Sequence, residues 1–497
     1  MLDTAHGGLA LSNQLHAQIR TLVCATLTDR LLPLLAPERL DGPEAMMELE
    51  RSVLARTTEL AGELIGATLR ARVEDADFQA AAGQAINDGG EIGLRYQSLE
   101  HCHVRTLAGT TLELTTRYYS PRRRRRGRPK GDGSRGKAGA GAYPALAVLG
   151  IDHGMTPTLR STIAREVAAG PSMEAARRRL ADHGVSLDIR TIQRVAHRFG
   201  RQSLRWRQQQ MGSGQSLLRE PWGSLQGRTV VIEVDGGRCR TRWAKTGTIP
   251  RGCSRQGFHA PWMEPKVLTI ALLDRTGHLD RSQPPLYDAV VGDADELVAL
   301  LAGHLRGSDI AAARRVVVVA DGAPWVWDRV PALLLGLGVK RRRLIEVVDY
   351  YHAVEHLSEV VDGKPNWSAK KRTRWFNTAK RLLKAGEMQE LIARIAVLRR
   401  GRKAAVFRRA IDYFGVHAHR MRYRWCKQRA VPMGSGIVES AIRRIVNLRL
   451  KGAGIFWKLD NLNGILHLRC HLLAGRWAAL EKAVVRSSSL RAGGPTI

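Results

Sequence analysis

Cysteine is scarce in this chain. The six residues Cys24, Cys102, Cys239, Cys253, Cys426 and Cys470 lie far apart, and no two form a C-x-x-C pair. That argues against a disulfide framework or a zinc ribbon and for reduced thiols in a cytosolic protein. Long hydrophobic runs are missing too: no apolar stretch approaches the ~18 to 20 residues that cross a bilayer. The opening "MLDTAHGGLALSNQLHAQIR" has no basic segment leading into an apolar one, so neither a membrane anchor nor a secretory leader is expected. Acidic residues are the third shortage. Against 79 Lys and Arg stand 46 Asp and Glu, a net charge of +33. An excess of that size, clustered along the chain, predicts a polyanionic partner, with nucleic acid ahead of an anionic membrane surface, against the alternative of a merely Arg-rich soluble enzyme.

What is present is enough to fold. At 497 residues and 44% hydrophobic content the chain exceeds one core, and two to four domains are expected. Residues 1–100 read as helices with an apolar stripe and carry no recognisable chemistry. In 101–150, "HVRTLAGTTLELTTRYY" alternates around Gly109 as a hairpin would, then runs into a Gly-rich basic linker. That linker holds Arg122, Arg123, Arg124, Arg125, Arg126 and Arg128 and has too few apolar residues for a core. It reads either as a solvated charge run or as an arm lying along phosphates, the second being favoured.

Within 151–227, "SMEAARRRLADHG" and "SLDIRTIQRVAHRF" are two short helical patterns with Gly184 between them. The pair has the form of a helix-turn-helix, whose second helix would offer Arg190, Thr191, Gln193 and Arg194 to a DNA groove; a plain helical hairpin has the same pattern. Residues 228–356 change character, giving three strands, a helix, the valine strand "VVVVA", a helix and a last strand entering a helix. This is an α/β order with a mixed sheet. The following block, 357–430, is helical and strongly basic, with Lys370, Lys371 and Arg372 as candidate DNA contacts. Residues 431–497 open with "VPMGSGIVESAIRRIVNLRLKG".

Asp235 closes the first strand of 228–356 and Asp321 the fourth. Those strands are expected to be neighbours, which brings the two acids to one end of the sheet. Paired carboxylates repel, and burying them alone costs several kcal/mol. A divalent cation removes that cost, and oxygen ligands without a Cys or His cluster suit Mg²⁺ or Mn²⁺. A third acid completes a two-ion site for phosphoryl transfer. The candidate is Glu439, in the first turn of a helix that Ser435 is placed to cap. Arg443 lies one turn later, either as an i,i+4 partner of Glu439 or facing a DNA phosphate. Each Asp before Gly is, taken alone, equally a turn residue, and Glu233 shares a strand face with Asp235. Trp325 and Trp327 are read first as packing beneath the site and second as stacking platforms for unpaired bases.

In order and style, "VIEVDGGRCRTRW", "WMEPKVLTI", "VVVADGAPWVWDRV", "VVDYYHAVEHL" and "PMGSGIVESAIRRIVNLRLKGAGIFW" resemble the ISKra-type insertion-sequence transposases, a bacterial DDE group with a ribonuclease H-like core. The resemblance covers roughly 150–475. It implies that Asp235, Asp321 and Glu439 form the DDE triad, binding two Mg²⁺ or Mn²⁺ ions, and that 357–430 is a helical insertion before the glutamate. It also places Asp349 and His352, from "DYYH", as supporting residues. Terminal inverted repeats and target DNA become the expected partners, with a homodimer or larger synaptic complex. The expected location is the bacterial cytoplasm, on the nucleoid when DNA is bound. Where such relatives are expected to carry a Cys-rich segment before the helix-turn-helix, this chain has "YYSPRRRRRGRPKGDGSRG", so no zinc is expected there. Two other functions stay open from the sequence: a Mg²⁺-dependent ribonuclease H-like nuclease, and a DNA-binding protein that has kept the fold without catalysis.

Overall fold

A computed structural model describes residues 7–89, 94–121, 141–214, 217, 222–249, 251–254, 256–399 and 404–489. The six linker arginines Arg122 to Arg126 and Arg128 lie outside the described residues. Mixed α/β in class, the chain divides into two compact units, Met1–Gln202 with Ala478–Ile497, and Ser203–Trp477. Among the described residues no helix is long and apolar enough to cross a membrane.

The first unit is built on helix α1 (Pro43–Val73), helix α2 (Ala76–Gly89) and an antiparallel hairpin, β1 (Leu94–Arg105) with β2 (Thr111–Pro121). The hairpin begins earlier than the alternation at 103–119 suggests. Its turn uses Gly109 at φ +79, where an added Cβ would lie 2.2 Å from the Gly184 carbonyl oxygen. Next come α3 (Pro157–Ala169), α4 (Met173–Asp182) and α5 (Ile189–Gly212). Ser172 caps α4, its Oγ accepting from Ala175 N at 3.0 Å. Gly184 at φ +79 turns the chain, and Asp188 accepts from Thr191 N at 2.9 Å as α5 begins. The apolar period buries Ala176, Leu180, Ile192, Ala196 and Phe199, and leaves Arg190, Gln193 and Arg194 exposed.

The second unit holds the sheet. Strands β3 (Thr229–Gly236), β4 (Lys266–Leu273), β5 (Leu286–Val290), β6 (Arg315–Ala320) and β7 (Leu344–Val348) lie in the order β7-β6-β3-β4-β5. β6 is parallel to both β3 and β7, whereas β4 is antiparallel to β3 and β5. Val316 to Val319 are fully buried, as a strand covered on both faces requires. Helices α6 (Ala294–Leu305), α7 (Pro324–Gly336) and α8 (Tyr350–Asp362) follow their strands. α9 (Ala369–Ala385), α10 (Met388–Ala396) and α11 (Ala404–His417) then extend the same core through Leu383, Leu391, Phe407 and Phe414. α12 (Gly436–Ile442) and α13 (Leu459–Leu473) complete the unit.

β3 ends with Asp235 and Gly236, where Asp235 is expected to close the first strand, and Gly237 follows. An added Cβ there would meet Val446 at 3.1 Å, and the chain resumes only as the short strands Cys239–Arg240 and Trp243–Ala244. At the far edge, Asp288 is buried and held by Arg207 (2.7 Å) and His304 (2.9 Å). Burial works to raise its carboxyl, but Arg207 and His304 keep it well below the usual range.

Candidate active site

The parallel pairing of β3 with β6 sets Val234 opposite Ala320, so the residues that follow, Asp235 and Asp321, lie at the same end of the sheet. Each carboxylate is first held by its own turn: Asp235 Oδ1 accepts from Gly236 N (2.6 Å), and Asp321 Oδ1 from Ala323 N (3.0 Å). Glu439 stands in the first turn of α12, which begins beside β3 because Glu233 Oε2 accepts from Val438 N at 2.8 Å. The charges of Asp321 and Glu439 both act on Asp235.

The electrostatics describe a strained acidic cluster. Asp235 is pushed up to about 6, chiefly by burial, with Asp321 and Glu439 adding to it and the Gly236 N–H and His352 opposing it. Burial raises Glu439 as well, with Asp349 and Glu355 adding to it. Glu233, 1% exposed, is driven up to about 8 by burial against the Val438 N–H, so it is largely protonated at neutral pH and ties strand to helix without adding full charge.

Ser435 occupies the N-cap position of α12 but makes no side-chain cap there. Its Oγ and N both donate to Asp349 Oδ2 instead, each at 2.5 Å. Asp349 itself is buried, and its Oδ1 accepts from His352 N at 2.9 Å, so it caps α8. Thus one carboxylate fixes the start of α8 and the loop before α12. His352 is half-exposed, 3.5 Å from Glu355, and close enough to Asp235 to lower it. Arg443 is exposed at the turn following α12.

Trp327 is buried, donates Nε1 to the Asp321 carbonyl (3.0 Å) and lies under Arg420; Trp325 packs against the same core. Both have the packing role. Lys370 and Lys371 are exposed on α9, Lys371 over the Trp367 ring, whereas Arg372 pairs with Asp362 at 2.5 Å.

Tyr413 and Glu355 carried no signal at the sequence level. Tyr413 Oη is buried without a hydrogen-bond partner, and its hydroxyl pKa is raised by burial and by Asp321, Asp349 and Glu355. Its ring lies where a Cβ on Gly322 would stand, 2.3 Å from Cε2, so the glycine after Asp321 is needed for that approach. The glycine of "DGA" was the one available hint.

The donor set is all oxygen, with Asp235 and Asp321 half-buried and Glu439 exposed, and an all-oxygen set fits a hard divalent cation. Among the described residues, however, no group of three or more His, Cys, Asp or Glu side chains is arranged to hold a metal ion. The two observations bear on different things. Asp235 feels the charge of the other two, yet backbone N–H groups, rather than a shared point, orient Asp235 and Asp321. No protein-family model, curated protein or solved structure matches the chain.

Proposed function

We propose that this chain is a DNA transposase with a ribonuclease H-like core and a DDE triad of Asp235, Asp321 and Glu439. The observation that carries the reading is the convergence of three acids from distant segments. Two end neighbouring parallel strands, the third opens a helix pinned to the first strand, and the charges of the other two act on Asp235. A five-stranded sheet whose second strand alone runs opposite to the other four supports a ribonuclease H-like core.

In this reading Asp235, Asp321 and Glu439 would hold two Mg²⁺ or Mn²⁺ ions, which when bound supply a water nucleophile at neutral pH and charge stabilisation at the phosphodiester. The chain's own residues position the acids. The sheet fixes Asp235 and Asp321 within the tolerance phosphoryl transfer needs, and Asp349, through Ser435, fixes the loop that carries Glu439. Arg443 would face a DNA phosphate, and Lys370 and Lys371 would meet the duplex further out. The expected partners are the element's terminal inverted repeats and target DNA, bound by a homodimer or larger complex in the bacterial cytoplasm.

The exposed Arg190, Gln193 and Arg194 at the start of α5 support DNA reading by the helix-turn-helix. If Arg190 or Arg194 contacts a phosphate, Arg→Gln is expected to weaken binding on all sequences and to lower the slope of log K against log salt by about 1, measured by anisotropy titrations. A base-edge contact instead relaxes sequence preference at one position.

The test of function is Mg²⁺-dependent cleavage and joining on DNA carrying the flanks of the chain's own gene. Metal-dependent release of joinable 3′-hydroxyl ends is expected. Tight binding of that DNA with no cutting in Mg²⁺ or Mn²⁺ would favour a DNA-binding protein without catalysis, and cutting without joining would favour a nuclease.

A further inference from the structure

The hairpin that leaves the sheet beside Asp235 carries a surface that phosphodiester cleavage does not use. β3 and β4 pair as far as Gly236 with Lys266, and pairing resumes beyond the sheet at Cys239 with Met263 and Arg240 with Trp262. It resumes again at Trp243 with His259 and Ala244 with Phe258. The resulting ribbon projects past the strand end that holds Asp235.

Its first strand alternates. Cys239 and Thr241 are fully buried, Arg238 and Arg242 are exposed, and Arg240 lies between. Period two therefore puts the three arginines on one face, successive ones about 6.6 Å apart. Aromatic rings interleave with them. The Arg240 guanidinium lies 5.1 Å from the centroids of both Trp262 and Phe456, and Arg242 lies 4.3 Å from that of Phe258. Trp262, paired with Arg240 and 49% exposed, shares the arginine face, whereas Trp243, 52% exposed, falls on the other face, its Nε1 held by Thr241 Oγ1 at 2.9 Å. Over 237–265 the sequence has six Lys or Arg and the single acid Glu264.

A merely structural ribbon would bury its indoles, and a solvated charge run has no need of rings. Cations alternating with half-exposed, fixed aromatic faces suit a chain of phosphates that carries flat bases. We infer that this ribbon binds unpaired DNA next to the cleavage site, with Arg238, Arg240 and Arg242 on the phosphates and Trp262 stacking on a base. The position of the binding site rests on the proposed function; the binding itself does not.

The experiment is fluorescence anisotropy with the full chain in EDTA, so that cutting is not read. It uses one DNA sequence as blunt duplex, as duplex with a short single-stranded overhang, and as single strand. The overhang is expected to bind more tightly than the blunt duplex. Trp262→Ala should lower overhang affinity roughly tenfold and leave the blunt duplex within about twofold, while Trp262→Phe restores most of the loss. Equal loss on blunt and overhang DNA, or no loss on either, overturns the inference. So does tighter binding of RNA than of DNA of the same sequence, which would assign the ribbon to RNA. These outcomes are read without catalysis, so a failed cleavage assay leaves them standing.

Discussion

Asp321→Asn is expected to remove at least about three orders of magnitude of DNA cleavage, roughly 4 kcal/mol of transition-state stabilisation, and to raise the melting temperature in EDTA. The two effects have one cause. Asn keeps the oxygen that accepts from Ala323 N and fills the same volume, so the turn after β6 is preserved. It removes a charge that acts on Asp235, whose carboxyl burial and its neighbours already hold up at about 6. Relief of that repulsion at pH 8 should stabilise by about 0.5 to 1 kcal/mol, a rise of roughly 1 to 4 °C for a unit of this size. In the proposed function cleavage would fall because a neutral amide would be a poor ligand for a hard cation, leaving the charge that develops at the phosphate less balanced. Melting curves in EDTA and single-turnover cleavage in Mg²⁺ check the pair. A variant that loses both stability and activity would mark Asp321 as a structural aspartate instead, and the triad would lose its second member.

Local pattern made much of this core legible. The valine run, the helix after "GDAD" and the entry from "LIEVV" into "YYHAVEHL" each fold as the sequence suggests, since burial on both strand faces and N-capping acids are local signals. The adjacency of β3 and β6 followed from the order of the elements. What the sequence left hidden lies in long-range packing. Gly237 sits where Val446, far along the chain, occupies the space a Cβ would need. Ser435 looks like a helix cap until Asp349 draws its hydroxyl away. Glu233 reads as a rival to Asp235, yet its partner is a backbone N–H 205 residues later. Tyr413 approaches Asp321 only because three helices fold back on the sheet.

Asp349→Ala should destabilise the second unit by about 2 to 4 kcal/mol and slow cleavage without weakening DNA binding. The carboxylate does two jobs from one buried position. Losing the α8 cap costs about 1 kcal/mol; leaving the Ser435 N–H and hydroxyl buried without their acceptor costs about 1 to 3 more. Asn is no substitute, since both Asp349 oxygens accept and an amide can turn only one acceptor toward them. The loop it releases leads directly into the seven-residue helix of Glu439, whose N bonds the Ser435 carbonyl at 3.0 Å. That helix is too short to hold its own geometry, so the acid loses its position when the loop does. Denaturant midpoints and single-turnover rates separate stability from chemistry. Ser435→Ala removes only the hydroxyl bond and should cost about 1 kcal/mol. In the double variant the costs should fall short of the sum, because the hydroxyl bond can be lost only once. Full additivity would mean that Asp349 acts through α8 alone, and the path from β7 to Glu439 would then have to run through the backbone bond between Tyr350 N and the Met433 carbonyl.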